Sequence, residues 1–190
     1  MRCFGDGDPL YEAYHDDEWG RPVTSERGLF EKVCLEGFQA GLSWSLVLRR
    51  RAALRAAFAG FDPDVLARWS EATVAKALDA PGIIRSRAKV AMVAKNARAC
   101  VDLRDAGGLE VLIWSFAPTG RRAAPKRLAD VPAVTPESTA MAKALKKAGF
   151  TFVGATTCYA LMQADGLVND HIAACSVRTV VEAERVAARP

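Results

Sequence analysis

The stretch "SEATVAKALDAPGIIRSRAKVAMVAKNARA", residues 70–99, decides the architecture. Its first part has a helical pattern as far as Ala80, Pro81 and Gly82 supply a tight turn, two β-branched isoleucines follow, and a long basic helix runs on. That order matches a helix-hairpin-helix. In such a unit the hairpin and the N-terminus of the second helix aim free backbone N–H groups at a phosphate, while Arg85, Arg87 and Lys89 add positive charge. Contacts of that kind ignore base sequence. An ordinary turn between two helices, with basic residues on a solvated face, fits the same letters, and this stretch alone leaves both readings open.

Helical signals continue on either side. Ser25 precedes Glu26, and Leu29, Phe30, Val33 and Cys34 recur at helical spacing, which predicts a capped amphipathic helix closed by Gly41 with Glu36 near its C-terminal end. Ser43 caps a second helix, in which Leu46, Val47, Leu54 and Phe58 are expected to face inward and "RRR" at 49–51 to face water, until Gly60 ends it. Asp62 and Pro63 begin a short one. Thr135 with Pro136 opens another through "MAKALKKAG", and Gly154 and Gly166 bound a last one, "GATTCYALMQADG". No period-2 pattern marks a strand. The Pro- and Arg-rich stretch "APTGRRAAPKRLADVPAV" is the one long connection, so it is the expected boundary between two lobes.

The expected fold is therefore all-α. Residues 1–190 form one unit: a lobe of about 24–112 carries the hairpin, residues 1–23 join 113–178 in a second lobe, and 179–190 form a tail. A chain of 190 residues that is 51% hydrophobic can bury a sizeable core, and a formal charge of +4 permits a polyanionic partner without demanding one. Five scattered cysteines and a start without a secretory pattern point to a reduced, cytoplasmic protein, and a monomer is the expected state. Apolar runs such as "VAMVA" are soon broken by Lys or Arg, which argues against a membrane span.

Two groups of residues carry chemistry. Cys3, His15, His171 and Cys175 use both histidines and join the two ends of the chain. His171 and Cys175 are four apart and on a helix would share one face, as ligands of one tetrahedral zinc must. Four protein ligands leave no place for an activated water, so such a zinc would staple instead of hydrolyse. Spacing across most of the chain has no local signature, and chance placement is the alternative. The second group is "CLEGFQAGLSW", residues 34–44, read with the aromatic stretch "YEAYHDDEWG", residues 11–20. A carboxylate such as Glu36 among indole and phenol rings can accept a hydrogen bond from a base amine and attract a cationic heterocycle. A surface glutamate beside core aromatics is the plainer reading.

Taken together, "DPLYEAYHDDEWG", "CLEGFQAGLSW", "GIIRSRAKVAMVAKNARA", "ALKKAGFTFVGATTCYALMQADGLVNDH" and the final Cys175 resemble, in order, the 3-methyladenine DNA glycosylase I family of the helix-hairpin-helix glycosylases. The likeness covers nearly the whole chain up to Cys175. It implies a structural zinc on Cys3, His15, His171 and Cys175, and a pocket for a flipped base lined by Tyr11, Tyr14 and Trp19. Glu36 would recognise the base and Trp44 would stack on it. Leu42 falls where the family wedges the duplex, and Gly82, Arg85, Arg87 and Lys89 fall on the DNA-binding hairpin. The implied partner is alkylated double-stranded DNA and the implied product is 3-methyladenine.

The resemblance also implies a monofunctional enzyme. Many relatives in the superfamily carry a catalytic aspartate after the hairpin, but this branch lacks it; Asp102 and Asp105 are not given that role, and Lys89 reads as helix surface instead of a Schiff-base nucleophile. Gly5, with Phe4 beside it, stands where family members often have tryptophan, which puts one pocket wall in doubt. The tail from Ser176 lies beyond the resemblance, and its "VVEAERVAAR" reads as a short surface helix. A noncatalytic DNA-binding module and a hydrolase of free alkylated nucleosides are the alternatives.

Overall fold

The computed structural model describes residues 1–120 and 122–188, and every regular element among them is helical. Helix α1 (Pro9–Asp17) begins at Asp8, whose carboxylate accepts the Tyr11 N–H, and α2 (Glu26–Gln39) begins at Ser25, whose hydroxyl accepts the Gly28 N–H. Ser43 caps α3 (Trp44–Ala57) in the same way, and Asp62 caps α4 (Pro63–Ala67). Next come α5 (Glu71–Ala77), α6 (Arg87–Asp102) and α7 (Gly108–Trp114). Thr135 and Ser138 form a capping box at the start of α8 (Pro136–Lys147), and α9 (Ala155–Ala164) and α10 (Arg178–Ala187) complete the order.

Helix α2 is the axle of the molecule. It packs against α3, α6, α7 and α9, and one connected cluster of buried apolar side chains runs from Tyr14 to Val168. Gly37 permits its close approach to α6, because a Cβ there would collide with the Met92 sulfur. No helix is long and apolar enough to cross a membrane.

Helical geometry corrects two expectations for α3. Leu46 is among the exposed large hydrophobics, because at 100° per residue it lies on the face opposite Trp44. Arg51 returns almost to the direction of Trp44, so of "RRR" only Arg49 and Arg50 face water, while Arg51 turns in to donate to Glu18 at 2.7 Å.

The tail is also more than a surface helix. α10 buries Val181 completely, and its Cγ1 would lie 3.1 Å from a Cβ on Gly20. Glu184 pairs with Arg21, and Asn169 donates to Glu182 at 3.0 Å. The connection around residues 117–134, of which Arg121 lies outside the described residues, is tied down as well: the Ala173 N–H donates to the Pro125 carbonyl at 2.8 Å, and Leu128–Asp130 form a 3-10 turn.

Candidate active site

Cys3, His15, His171 and Cys175 meet in space, their ligand atoms all within 4.8 Å of one another. Cys175 Sγ lies 3.5 Å from His15 Nε2 and 3.3 Å from His171 Nδ1, and Cys3 Sγ lies 3.6 Å from His171 Nδ1. A tetrahedral zinc with ordinary Zn–S and Zn–N bonds has S···N edges of about 3.6 Å, so the donor set fits such an ion. The outward ring nitrogens are fixed too: His15 Nδ1 is 2.7 Å from Asp16 Oδ1, and His171 Nε2 donates to the Trp19 carbonyl at 2.9 Å. These partners hold each imidazole with its metal-facing nitrogen inward. Burial pushes the Cys3 thiol up to about 12 and the His171 imidazole down to about 4. The residues from His171 to Cys175 lie in a turn closed by the Cys175 N–H on the Ile172 carbonyl, not on the helix that their spacing suggested.

Across Trp19 from this cage is a cavity of about 320 Å³. Tyr11, Tyr14, Trp19, Glu36 and Trp44 all line it. Tyr14 and Trp44 rings stand 5.1 Å apart at 45°, and Phe4 stands 4.9 Å from both Tyr11 and Trp19. Phe4 thus forms the wall that the sequence left in doubt. Gly5 takes φ +96°, and a Cβ on it would lie 3.0 Å from the Tyr11 backbone, so this local chain path selects glycine.

Glu36 is 4% exposed, and no described residue hydrogen-bonds its carboxylate. Burial pushes it up to about 8, against a smaller opposing pull from Lys32. Trp44 Nε1 is likewise buried without a partner. A buried polar group left unpaired costs about 1–3 kcal/mol, a cost that a complementary ligand can recover. The cavity therefore suits a flat heterocycle, with aromatic faces for stacking, one acid and one spare donor.

Sequence reasoning missed the opposite wall. Thr156, Tyr159 and Gln163 come from α9, and Val131 and Pro132 come from the long connection. The Tyr159 hydroxyl donates to Asp170 at 2.6 Å, and the Gln163 amide donates to the same oxygen at 2.9 Å. The sequence marks α9 only as a helix, and its packing against α2 turns these side chains toward the cavity.

Leu42 protrudes from the turn between α2 and α3 and lines a smaller hollow of about 190 Å³ that also touches Glu36. Gly82 sits at φ +76° in the turn between α5 and α6, a conformation that favours glycine. Arg85 and Arg87 are exposed there. Ser86 makes no side-chain cap bond, so it leaves the first N–H groups of α6 uncapped.

Lys89 corrects the sequence reading. It is buried, and its ammonium donates to the Phe38 and Ala40 carbonyls at 2.7 and 2.6 Å. It caps the end of α2 instead of adding charge to the hairpin surface, because the long stem reaches inward across the α2–α6 contact.

Comparison with known proteins agrees with this arrangement. The model of the methyladenine glycosylase family matches residues 4–179. The chain belongs to that family. It is 48% identical over 172 residues to DNA-3-methyladenine glycosylase 1 of Escherichia coli (strain K12), covering 88% of this chain and 91% of that protein. It is 44% identical over 174 residues to DNA-3-methyladenine glycosylase of Haemophilus influenzae, covering 90% and 93%. Its fold superimposes with a TM-score of 0.88 on a variant of 3-methyladenine DNA glycosylase I in complex with 3-methyladenine, at 29% identity and coverage of 93% of this chain and 96% of that one. As a methyladenine glycosylase the chain is all-helical throughout its described residues, and α10 lies almost wholly past the matched segment.

Proposed function

We propose that this protein excises 3-methyladenine from alkylated duplex DNA in base-excision repair, flipping the nucleotide and hydrolysing its N-glycosidic bond to leave an abasic site in an uncut strand. The observation that carries the reading is a buried, unpaired acid, Glu36, in the wall of an aromatic cavity. N3-methylation makes adenine cationic and a good leaving group, so the enzyme need supply little activation. What it must supply is recognition: Trp44 and Tyr14 stack on the base, and Glu36, ionised by the incoming cation, accepts a hydrogen bond from it. Water then attacks the anomeric carbon as the base departs.

Recognition of the duplex is assigned to a helix-hairpin-helix formed by α5, the Gly82 turn and α6. Uncapped N–H groups at the start of α6 and the exposed Arg85 and Arg87 suit phosphate oxygens. Leu42, exposed beside the pocket, suits a wedge between bases. In this reading the hairpin lobe of about 24–112 and the lobe of 1–23 with 113–178 share the core around α2.

Zinc is the metal whose bond lengths and ligand chemistry the cage matches, and Cys3, His15, His171 and Cys175 would hold it. Bound there, it would supply a cross-link between the chain ends. The four residues would fill a tetrahedral zinc's places, and His15, next to Tyr14 on α1, would tie this end of the chain to the segment around His171. A monofunctional course is supported by Lys89, whose ammonium is engaged by two carbonyls, and by the cavity lining, where Glu36 is the one carboxylate among the described residues.

The test is release of free 3-methyladenine from methylated duplex DNA, compared with methylated nucleoside, while strand scission is followed on a denaturing gel. Release from duplex with no scission is expected. Absence of release, or equal release from nucleoside, overturns the reading.

A further inference from the structure

Behind the pocket lies a charged group that the base-recognition scheme does not use. Lys32 is four residues before Glu36 on α2, so both side chains project from one face of the helix. Its side chain is only 12% exposed, and its Nζ lies 5.3 Å from the Tyr14 ring centroid and 3.7 Å from Glu18 Oε2. Glu18 is held in turn by Arg51 from α3. The ammonium is therefore fixed beneath Tyr14, whose ring also meets Trp44.

A second buried acid faces the same cation. Asp165, at the end of α9, is fully buried with both carboxylate oxygens unpartnered, and burial holds its acid well above the usual range. Lys32 is the charge that favours ionisation of Asp165, as it is for Glu36, while Glu36 disfavours ionisation of Asp165. The charged and titratable groups gathered about Tyr14 and Lys32 are thus Glu36 from α2, Glu18 at the end of α1, Arg51 from α3 and Asp165 at the end of α9. One positive charge, itself paired with Glu18, thus faces two buried acids.

We propose that Lys32 is a positioning residue for base recognition: its ammonium, braced by Glu18 against Tyr14, stabilises the negative charge on Glu36 that pairs with a cationic base. This rests on the reading of Glu36 as the base-recognising acid. Two effects of Lys32 oppose each other. It repels a cationic base directly, but Tyr14 is interposed and Glu18 screens that repulsion; its support of the Glu36 charge acts between neighbours on one helix face. The second effect dominates where Glu36 is partly protonated, and the first is all that remains where Glu36 is fully ionised. The signature is a crossover in pH, not a uniform loss.

The experiment follows Glu36 by carbon NMR titration in the free protein and measures single-turnover base release from methylated duplex between pH 6 and 9.5. In Lys32→Met the Glu36 midpoint should rise by about one pH unit, as expected for loss of one nearby opposite charge. Release should fall about tenfold on the acidic side and meet or exceed the wild-type rate at the alkaline end. Lys32→Arg should restore the wild-type midpoint, and Asp165→Asn, which removes an acid that burial holds well above the usual range, should keep it. An unmoved midpoint in Lys32→Met, or equal loss of release at every pH, overturns the proposal, as does a midpoint that follows Asp165→Asn instead. Failure of the underlying reading looks different: wild-type protein would then release no base at any pH, while the NMR shift of Glu36 would still be measurable.

Discussion

The cage and the pocket stand back to back across one side chain. The Trp19 ring lies 4.5 Å from the His171 ring on one side and lines the cavity on the other, and consecutive residues of α1, Tyr14 and His15, serve the two sites. Their electrostatic condition is opposite. In the cage each outward ring nitrogen has a partner and the inward donors converge on one point. In the pocket the acid is held near its protonated form, and an indole N–H points at nothing. A closed polar cluster contributes stability, whereas an open one gives up stability to keep groups free for a ligand.

The largest effect should come from breaking the cage. His171→Ala or Cys175→Ser should abolish stoichiometric metal binding and cost several kcal/mol of stability, as expected where metal binding is coupled to folding. Metal content by elemental analysis and the thermal midpoint check this. Full metal content and an unchanged midpoint in either variant would show that the four groups do not act as one ligand set.

Damage to the pocket should spare the fold and strike the reaction. Trp44→Ala removes stacking of about 1–3 kcal/mol per base, and Glu36→Gln removes one charge-assisted hydrogen bond of about 1.5–3 kcal/mol. Single-turnover release should fall by roughly 5- to 150-fold in Trp44→Ala and roughly 10- to 150-fold in Glu36→Gln, with affinity for undamaged duplex nearly unchanged. Wild-type release rates in both would locate the chemistry elsewhere.

Stability should move the other way in Glu36→Gln. The glutamate is raised from 4.5 to about 8 on folding, so the folded chain holds its proton more tightly. The cost of burial is absent below about 4.5, grows as pH rises and is complete above about 8. Denaturant unfolding should therefore find the variant more stable than wild type at alkaline pH, with the difference closing near pH 4. A constant difference would mean that Glu36 is not protonated by burial.

The hairpin offers the smallest and most selective contrast. Arg85→Ala with Arg87→Ala should weaken duplex binding regardless of sequence and flatten its salt dependence, by a slope of about one per lost phosphate contact. Lys89→Met should leave that slope intact and instead lower stability by about 1–3 kcal/mol, because the carbonyls at the end of α2 lose their donor. A slope that responds to Lys89 would return that residue to the DNA surface.

Much of this was legible before any fold was known, for reasons that differ by residue. Ser25, Ser43, Asp62 and Thr135 announced helix starts because a cap acts through bonds two or three residues away. Side-chain direction was legible only where the apolar stripe was read with its true angular spacing, and that is why Leu46 and Arg51 were assigned to the wrong faces. Lys89 was misread because a lysine stem spans two helices, and nothing local says which way it reaches.

Sequence alone determined an all-helical chain, the kind of residues available for chemistry and the order of motifs that marks the family. These are properties of local bonding, composition and pattern. Tertiary structure decided which groups are deprived of water and which are paired. It fixed Phe4 as a pocket wall, turned Tyr159 and Gln163 toward the cavity, buried Glu36 without a hydrogen-bond partner and set Lys32 beneath Tyr14. Desolvation depends on every neighbour at once, so the tight hold of Glu36 on its proton exists only in the folded molecule.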